Sequence, residues 1–137
     1  MAEKLILGIT MGDPASIGPE ITAKALSDPA VYKRCKPLVV GDAAVMEEAL
    51  KITGLSGKLK IHKIGDVSEA LYEYGSIDVY DMGMVDMKEL KRGEVSAMAG
   101  NAAFQYVKKV IELAMDKQVD ATVTNALNKE AMNLAGH

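Results

Sequence analysis

The amino-acid sequence predicts an α/β domain built on a mostly parallel β-sheet flanked by helices. Short apolar runs alternate along the chain with longer segments in which apolar residues recur every three or four positions, the pattern of strands alternating with helices. The first run, Leu5 to Ile9, is nearly unbroken, as in a strand covered on both faces. The composition, 49% hydrophobic and 26% charged over 137 residues, is that of one ordinary globular domain.

The first two elements follow directly from their residue patterns. Residues 4–10 predict a buried strand, which ends in a loop rich in Gly and Pro. The next segment, 17–26, predicts a helix with Ile17 and Ile21 on its apolar side. Ser16 precedes this helix and is expected to be its N-cap, because a Ser hydroxyl satisfies free backbone N–H groups at a helix start.

The later elements continue the alternation. The pattern predicts a strand at 37–40, a helix at 43–52, strands at 59–64 and 77–80, a long helix at 96–117, a strand at 121–124 and the start of a helix at 128–134. The long helix is expected to place Val110 and Ile111 on its apolar side. The polar stretch 65–76 is expected to be partly helical, whereas 82–93 has no clear period and is expected to be irregular.

Composition and charge exclude several classes of function. The net charge is -3, with no long basic stretch, no Trp and a single Phe, so neither phosphate-backbone binding nor base stacking is expected. The single cysteine, Cys35, has no disulfide partner in the chain, which suits a reducing cytoplasm. The apolar run near the start is too short for a signal peptide or a membrane span, so neither export nor membrane anchoring is expected.

The loop after the first strand, residues 10–20, is the first candidate site. In open α/β sheets, ligands bind at the carboxyl ends of strands beside helix N-termini, where free N–H groups favour anions. Gly12 and Gly18 would let the backbone approach a ligand closely. The loop has neither the three-glycine dinucleotide fingerprint nor the Lys-Ser/Thr ending of a P-loop. A tight turn that merely starts a helix is the alternative, and the loop alone does not decide between them.

The second candidate site, residues 123–130, also lies where a strand is followed by a helix. Asn125, Asn128 and Lys129 offer several donors to a phosphate or carboxylate. A plainer interpretation makes Asn128 an N-cap and Lys129 a solvated side chain, and this segment alone favours it. His62, which lies in a strand-like alternation, is interpreted as structural and His137 as a frayed terminal residue. Two His and one Cys far apart form no zinc pattern and no nucleophilic triad.

Taken together, three motifs resemble the 4-hydroxythreonine-4-phosphate dehydrogenase family. Residues 9–20, Ile-Thr-Met-Gly-Asp-Pro-Ala-Ser-Ile-Gly-Pro-Glu, match the family's N-terminal signature except at Ser16, where Gly is usual. The small residues Gly93, Ser96, Gly100 and Ala103 match the long helix and its approach. Residues 123–130 match a segment in which Pro is commoner than Ala126. The resemblance covers nearly the whole chain.

The resemblance implies an isocitrate/isopropylmalate dehydrogenase-like fold, with two α/β domains and an active site between them. Residues 1–125 would belong to the first domain, and 126–137 would begin the segment that crosses to the second. Members are homodimers that use NAD and a divalent metal to oxidise a phosphorylated C4 hydroxy acid, and the product then loses CO2. NAD accepts the hydride, and the metal polarises the hydroxyl and then the ketone.

Site roles also follow from the resemblance. Lys129 and Asp13 would be catalytic, and substrate or cofactor would contact Thr10, Gly12, Gly18, Asn125 and Asn128. Asp13 would either brace its loop or face the cleft. The role in the cleft is favoured because some members of the family carry Glu at this position. The longer Glu side chain suits a carboxylate that extends into a cleft better than one that braces a tight turn. The metal-binding histidines of the family lie beyond this sequence, and the members of the family are much longer. We therefore expect this chain to be an N-terminal portion of such an enzyme and to be inactive alone.

The last residues are more similar to one branch of the family. Residues 125–137 are closer to the branch associated with D-threonate or D-erythronate 4-phosphate, which yields dihydroxyacetone phosphate, than to the vitamin B6 branch acting on 4-hydroxy-L-threonine phosphate. By its spacing, His137 is an additional Gly-His residue of this branch and not the substrate-binding His of the family. A second hypothesis, from another class, is a non-catalytic α/β module that binds a phosphorylated metabolite.

Overall fold

A computed structural model describes residues 4–125 and 127–137, so Ala126 of the second motif and residues 1–3 lie outside the description. The strands are β1 (Leu5–Thr10), β2 (Cys35–Gly41), β3 (Lys60–Ile64), β4 (Ser76–Asp81) and β5 (Ala121–Val123). The helices are α1 (Gly18–Ala25), α2 (Pro29–Arg34), α3 (Ala43–Ile52), α4 (Ala97–Met115) and α5 (Lys129–Leu134), with a short 3-10 helix at Val67–Glu69.

The five strands form one sheet in the order β3-β4-β2-β1-β5, and every neighbouring pair is parallel. This confirms the predicted α/β class. All five strands therefore end at the same edge of the sheet, where the loops before α1, α3, α4 and α5 lie. Parallel strands need crossover connections, and the helices provide them.

The core consists of aliphatic side chains on both sides of the central strands. Leu38, Val39 and Val40 of β2 are fully buried, as expected for a strand covered on both faces. Full burial of each such side chain stabilises the fold by about 1.5–3 kcal/mol. The long helix α4 packs on β1 and β2, and α3 packs on β3 and β4.

Strand β2 begins earlier than predicted. The sequence pattern starts it at Pro37, whereas the structure starts it at Cys35, which pairs with Leu5 of β1. Pro cannot donate a hydrogen bond, which disfavours it inside a sheet. Here β2 pairs with β4 only from Val39 onward, so Pro37 lies where the strand has a single neighbour.

The first helix differs from the prediction in its cap and in its buried face. Ser16 is not the N-cap: Ile17 occupies that position and makes no side-chain cap bond. Ile17 and Ile21, predicted to face the core, are 61% and 48% exposed. The buried face is instead formed by the small residues Thr22 and Ala23, because α1 packs closely against α3.

Other elements confirm or extend the prediction. Helix α3 has the predicted bounds, Ser96 caps α4 by accepting the N–H of Ala99, and residues 82–93 contain no helix or strand. Ile111 was wrongly expected on the apolar side of α4 and is half exposed. The short helix α2 was not predicted, since six residues hold too few turns to show a period. Among the described residues, no helix is both long and apolar enough to cross a membrane.

Candidate functional site

The two motifs found in the sequence meet at the carboxyl edge of the sheet. Strand β5 pairs with β1, and Val123 is aligned with Ile9. The loop after β1 and the loop after β5 are therefore neighbours, although more than 100 residues separate them along the chain. The sequence contains both motifs, but only the strand order shows that they form one site.

Thr10 and Asn125 bind each other and so join the two loops. The backbone N–H of Asn125 donates to Thr10 Oγ1 at 3.1 Å, and Asn125 Nδ2 donates to Thr10 O at 2.7 Å. The same Nδ2 donates to Thr22 Oγ1 of α1 at 2.7 Å. Both amide hydrogens of Asn125 thus have protein acceptors. The immediate role of these two predicted site residues is to hold the site together.

The glycines of the first loop allow the chain to fold back on itself. Gly12 has a φ of +82°, which side chains other than Gly rarely tolerate. A Cβ at Gly18 would lie 2.4 Å from the carbonyl oxygen of Met11. Both positions therefore require glycine for the shape of the loop itself, whether or not a ligand also approaches them.

Asp13 lies at the centre of the first loop and is 2% exposed. Its Oδ1 accepts the backbone N–H of Ala15 at 2.8 Å, the bracing bond that was one of its two possible roles. Asp13 is also one of the residues that line the cleft described below, so the bracing bond and a position at the cleft are compatible. Burial raises the pKa of Asp13 above its ordinary range, and the N–H of Ala15 opposes this effect only partly.

A cleft of about 380 Å³ opens beside this loop, a volume in the range of small-molecule sites. Its walls are the first loop with the start of α1, residues 92–95, the end of α3, and Asn128. The lining combines carboxylates, an arginine and aliphatic side chains: Asp13, Glu20, Glu94, Arg92, Ile17, Ile52 and Val95. Ile17 and Ile52 are exposed here, which makes part of the cleft apolar.

The second motif contributes a helix start beside this cleft. Asn128 Oδ1 accepts the N–H of Ala131 at 3.0 Å, which confirms the prediction that Asn128 is the N-cap of α5. Lys129, the next residue, is exposed and does not line the cleft. The predicted catalytic residue Lys129 thus lies next to the site. Among the described residues, its ammonium group forms no ion pair with Asp13 or Glu20.

Arg92 is a cleft residue that the sequence analysis did not find. Its Nε donates to Glu48 Oε1 of α3 at 2.8 Å, and its Nη1 donates to Glu20 Oε1 of α1. The adjacent N–H of Gly93 donates to the carbonyl oxygen of Ala15 at 2.7 Å. Arg92 lies in the irregular segment 82–93, and its partners are 44 and 72 residues away, so no local pattern signals it.

Helix α5 is seated against α4 by a close backbone contact. A Cβ at Gly100 would lie 2.0 Å from the carbonyl oxygen of Ala131, so only glycine fits there. At the other end of α5, His137 stacks on Phe104 with a centroid distance of 3.8 Å, and its Nε2 is 2.9 Å from Asn101 Oδ1. The interpretation of His137 as a frayed residue is therefore wrong.

The remaining histidine has a structural place, as predicted. His62 Nδ1 lies 2.7 Å from Asp78 Oδ1, and the same buried carboxylate accepts the backbone N–H of Tyr72. Within residues 4–125 and 127–137, no three His, Cys, Asp or Glu side chains are grouped as metal ligands would be.

Comparison with known proteins identifies relatives over nearly the whole chain. A family model described as "Pyridoxal phosphate biosynthetic protein PdxA" matches residues 33–137. A protein of Symbiobacterium thermophilum named "Putative D-threonate 4-phosphate dehydrogenase" is 48% identical over 135 residues, which are 98% of this chain and 40% of that protein. The chain therefore spans about 40% of the length of the curated relatives that it matches.

Solved structures also include relatives that match nearly the whole of this chain. A 4-hydroxythreonine-4-phosphate dehydrogenase from Burkholderia phymatum superposes with a TM-score of 0.94 at 46% identity, over 99% of this chain and 40% of that chain. A terephthalate 1,2-cis-dihydrodiol dehydrogenase from Burkholderia xenovorans has a TM-score of 0.73 at 27% identity, over 98% and 38% of the two chains. Relatives with this fold thus carry the names of dehydrogenases of different substrates.

Proposed function

Because the chain belongs to the family described as pyridoxal phosphate biosynthetic protein PdxA, we propose that it supplies one side of the active site of an NAD-dependent dehydrogenase. The substrate would be a 4-phosphorylated C4 hydroxy acid, which is oxidised and then decarboxylated. The observation that carries the proposal is the cleft lined by the buried Asp13 of the first loop and by Asn128 of the second, two loops that hydrogen bonds between Thr10 and Asn125 hold together.

We propose D-threonate or D-erythronate 4-phosphate as the substrate, with dihydroxyacetone phosphate as the product. The names of the curated relatives support this choice, since the proteins from Symbiobacterium thermophilum and Halalkalibacterium halodurans are named for D-threonate 4-phosphate. The alternative, 4-hydroxy-L-threonine phosphate, is supported by the name of the Burkholderia phymatum structure. The fold does not separate them, because both groups of relatives share it.

The cleft suits the nicotinamide end of NAD, which when bound would supply the hydride acceptor. Ile17, Ile52 and Val95 offer an apolar surface to a flat ring, and the buried carboxylate of Asp13 offers an acceptor to a hydroxyl or amide. The raised pKa of Asp13 also favours a proton on its free oxygen, so the residue would hold or release a proton close to the reacting atoms.

Lys129 and the loop backbone would bind the charged end of the substrate. Lys129 is exposed at the first turn of α5, next to the cleft residue Asn128, and its ammonium would bind a phosphate or carboxylate there. A charge-assisted hydrogen bond of this kind stabilises a bound anion by about 1.5–3 kcal/mol. Asn128 and the loop around Gly12 and Gly18 would shape the surface against which the substrate lies.

The divalent metal of the proposed reaction would be held by other parts of a longer protein. The residues that the structure describes do not supply a set of three grouped ligands for it. The homodimer and the division of the chain, with residues 1–125 in a first domain and 126–137 leading to a second, are likewise proposals that rest on the family resemblance.

A chimera tests the proposal most simply. This chain would replace the matching segment of the Symbiobacterium thermophilum relative, which is similar enough for the core contacts to be kept. Reduction of NAD would be followed with each of the three phosphorylated acids and a divalent metal. We expect turnover by the chimera, fastest with D-threonate or D-erythronate 4-phosphate, and none by the 137-residue chain alone, since near-attack geometry needs more groups than it offers.

The outcomes separate the hypotheses. A folded chimera that binds a phosphorylated acid without reducing NAD would support the non-catalytic module instead. Turnover by the 137-residue chain alone would show that the chain contains a complete active site, contrary to the proposal.

A further inference from the structure

One wall of the cleft is the end of an irregular segment, residues 82–95, which we call the strap. The start of the strap is anchored to the buried carboxylate of Asp42. Asp42 Oδ1 accepts the N–H of Met84 at 3.1 Å, and its Oδ2 accepts the N–H of Val85 at 2.8 Å. The hydroxyl of the buried Tyr106 donates to Asp42 Oδ1 at 2.7 Å. This anchor is shielded from water and therefore from salt.

The other end of the strap is held in a different way, by a partly exposed ion-pair cluster. Arg92 binds Glu20 of α1 and Glu48 of α3, and the exposed fractions of the three side chains are 25%, 17% and 41%. Solvent-accessible pairs of this kind are weaker than buried hydrogen bonds and are screened by salt. The strap thus has a buried attachment at Asp42 and a second, partly exposed attachment at Arg92, beside which Gly93 N donates to Ala15 O.

The residues of this second attachment also line the cleft. Arg92, Gly93, Glu94 and Val95 of the strap line it, as do Ala15 of the first loop and Glu20 of α1. The Arg92–Glu20 ion pair and the bond from Gly93 N to Ala15 O join the strap to these two residues. Gly93 has a φ of +81°, a conformation suited to a turning point in the backbone.

Two of the three guanidinium nitrogens of Arg92 hold it in this arrangement. Nε and Nη1 donate to Glu48 and Glu20. Nη2 has no protein partner among the residues that the structure describes, so it adds no protein hydrogen bond to this attachment.

We propose that Arg92 is a latch, whose release from Glu20 and Glu48 lets residues 91–95 swing away from the first loop and opens the cleft to its ligand. The anchor at Asp42 keeps the start of the strap in place during this motion. Lids of this kind commonly gate access to active sites. The identity of the ligand rests on the proposed function, but the latch itself is a property of this chain.

Hydrogen exchange of the 137-residue chain tests the latch without any catalysis. In Arg92→Gln, the amide of Gly93, which is bonded to Ala15 O of the first loop, should exchange about tenfold faster or more, because the charge-assisted hydrogen bonds that hold the strap against the loop are lost. Amides of Met84 and Val85 should keep their wild-type rates. Arg34→Gln is the matched control, since Arg34 is the other arginine of the chain and is exposed on α2.

The salt dependence of hydrogen exchange tests the latch in the wild-type chain. Raising NaCl from about 0.05 M to about 1 M should speed exchange of the Gly93 amide in the wild-type chain and leave Met84 and Val85 unchanged. Equal acceleration of both ends would mean general loosening and would overturn the latch. So would unchanged exchange of the Gly93 amide, either in Arg92→Gln or, if that variant does not fold, in high salt.

Discussion

At the scale of single residues, Asp13 has a structural bond and a position in the cleft at the same time. Sequence reasoning treated these as alternatives, because it could not tell that one carboxylate oxygen meets Ala15 while the side chain still borders open space. Residue identity predicted the importance of Asp13. Its burial, and thus its raised pKa, is a property of the folded loop that residue identity alone does not give.

Asp13→Asn separates the two roles. Asn retains an oxygen that accepts the N–H of Ala15, so the loop should keep its shape. The charge and the proton are lost, so activity of the chimera should fall at least about tenfold, a change in the range attributed to removal of an acid or base. Thermal melting and steady-state rates measure the two effects. A fully active Asp13→Asn, together with a destabilised Asp13→Ala, would make the residue a brace only.

The pH dependence of the same variant has a definite sign. A carboxyl whose pKa is raised by folding binds more protons in the folded state, so its contribution to stability is present at low pH and is lost as pH rises. The melting temperature of Asp13→Asn should therefore gain on that of the wild-type chain as pH rises above 3.8, the ordinary pKa of the group. A gain by the wild type over the same range would contradict burial as the dominant influence.

Substitution of Lys129 is expected to lower catalytic efficiency without changing the stability of the fold. Lys129 is exposed, so Lys129→Ala should melt like the wild type. In the chimera its catalytic efficiency should fall at least about tenfold, as expected when a charge-assisted bond to substrate is lost. Lys108→Ala, which removes another exposed lysine from the middle of α4, serves as the control. Unchanged kinetics in Lys129→Ala would return Lys129 to the role of a solvated surface residue.

At the scale of elements, the spacing of apolar residues predicted the bounds of a helix where the helix is long and one of its sides is buried. The bounds of α3 were predicted, and those of α4 to within two residues, because apolar spacing acts locally. The orientation of α1 was not, since its exposed Ile17 and Ile21 have the same spacing as a buried face. Helix α2 was not predicted, because its main sequence signal is the N-cap Asp28, and a single capping residue is also common in loops.

The seat of α5 on α4 yields a prediction at this scale. In Gly100→Ala, the new methyl group would collide with the backbone of Ala131, which cannot rotate away as a side chain would. We expect the free energy of unfolding to fall by about 1–3 kcal/mol, the usual cost of overpacking. Denaturant titration measures it. Gly57→Ala is the control, because nothing lies within 4 Å of a Cβ there. Equal stabilities of the two variants would show that α5 is not seated as described.

At the scale of the whole molecule, the site depends on strand order. The alternation of strands and helices predicts a parallel sheet, and the carboxyl edge is then the expected ligand side. The order β3-β4-β2-β1-β5, however, is set by contacts between distant residues, and it alone places the loop at Asp13 beside the loop at Asn125. Arg92 was missed for the same reason, since its ion pairs join segments that no local pattern connects.

We propose that these two loops together form one side of a dehydrogenase active site. A crystal structure of the chimera with NAD and a phosphorylated C4 hydroxy acid tests it most directly. We expect the bound molecules to contact the first loop, including Asp13, and also the start of α5, including Lys129. Bound molecules that touch neither loop, or that contact one loop while the other faces solvent, would contradict it.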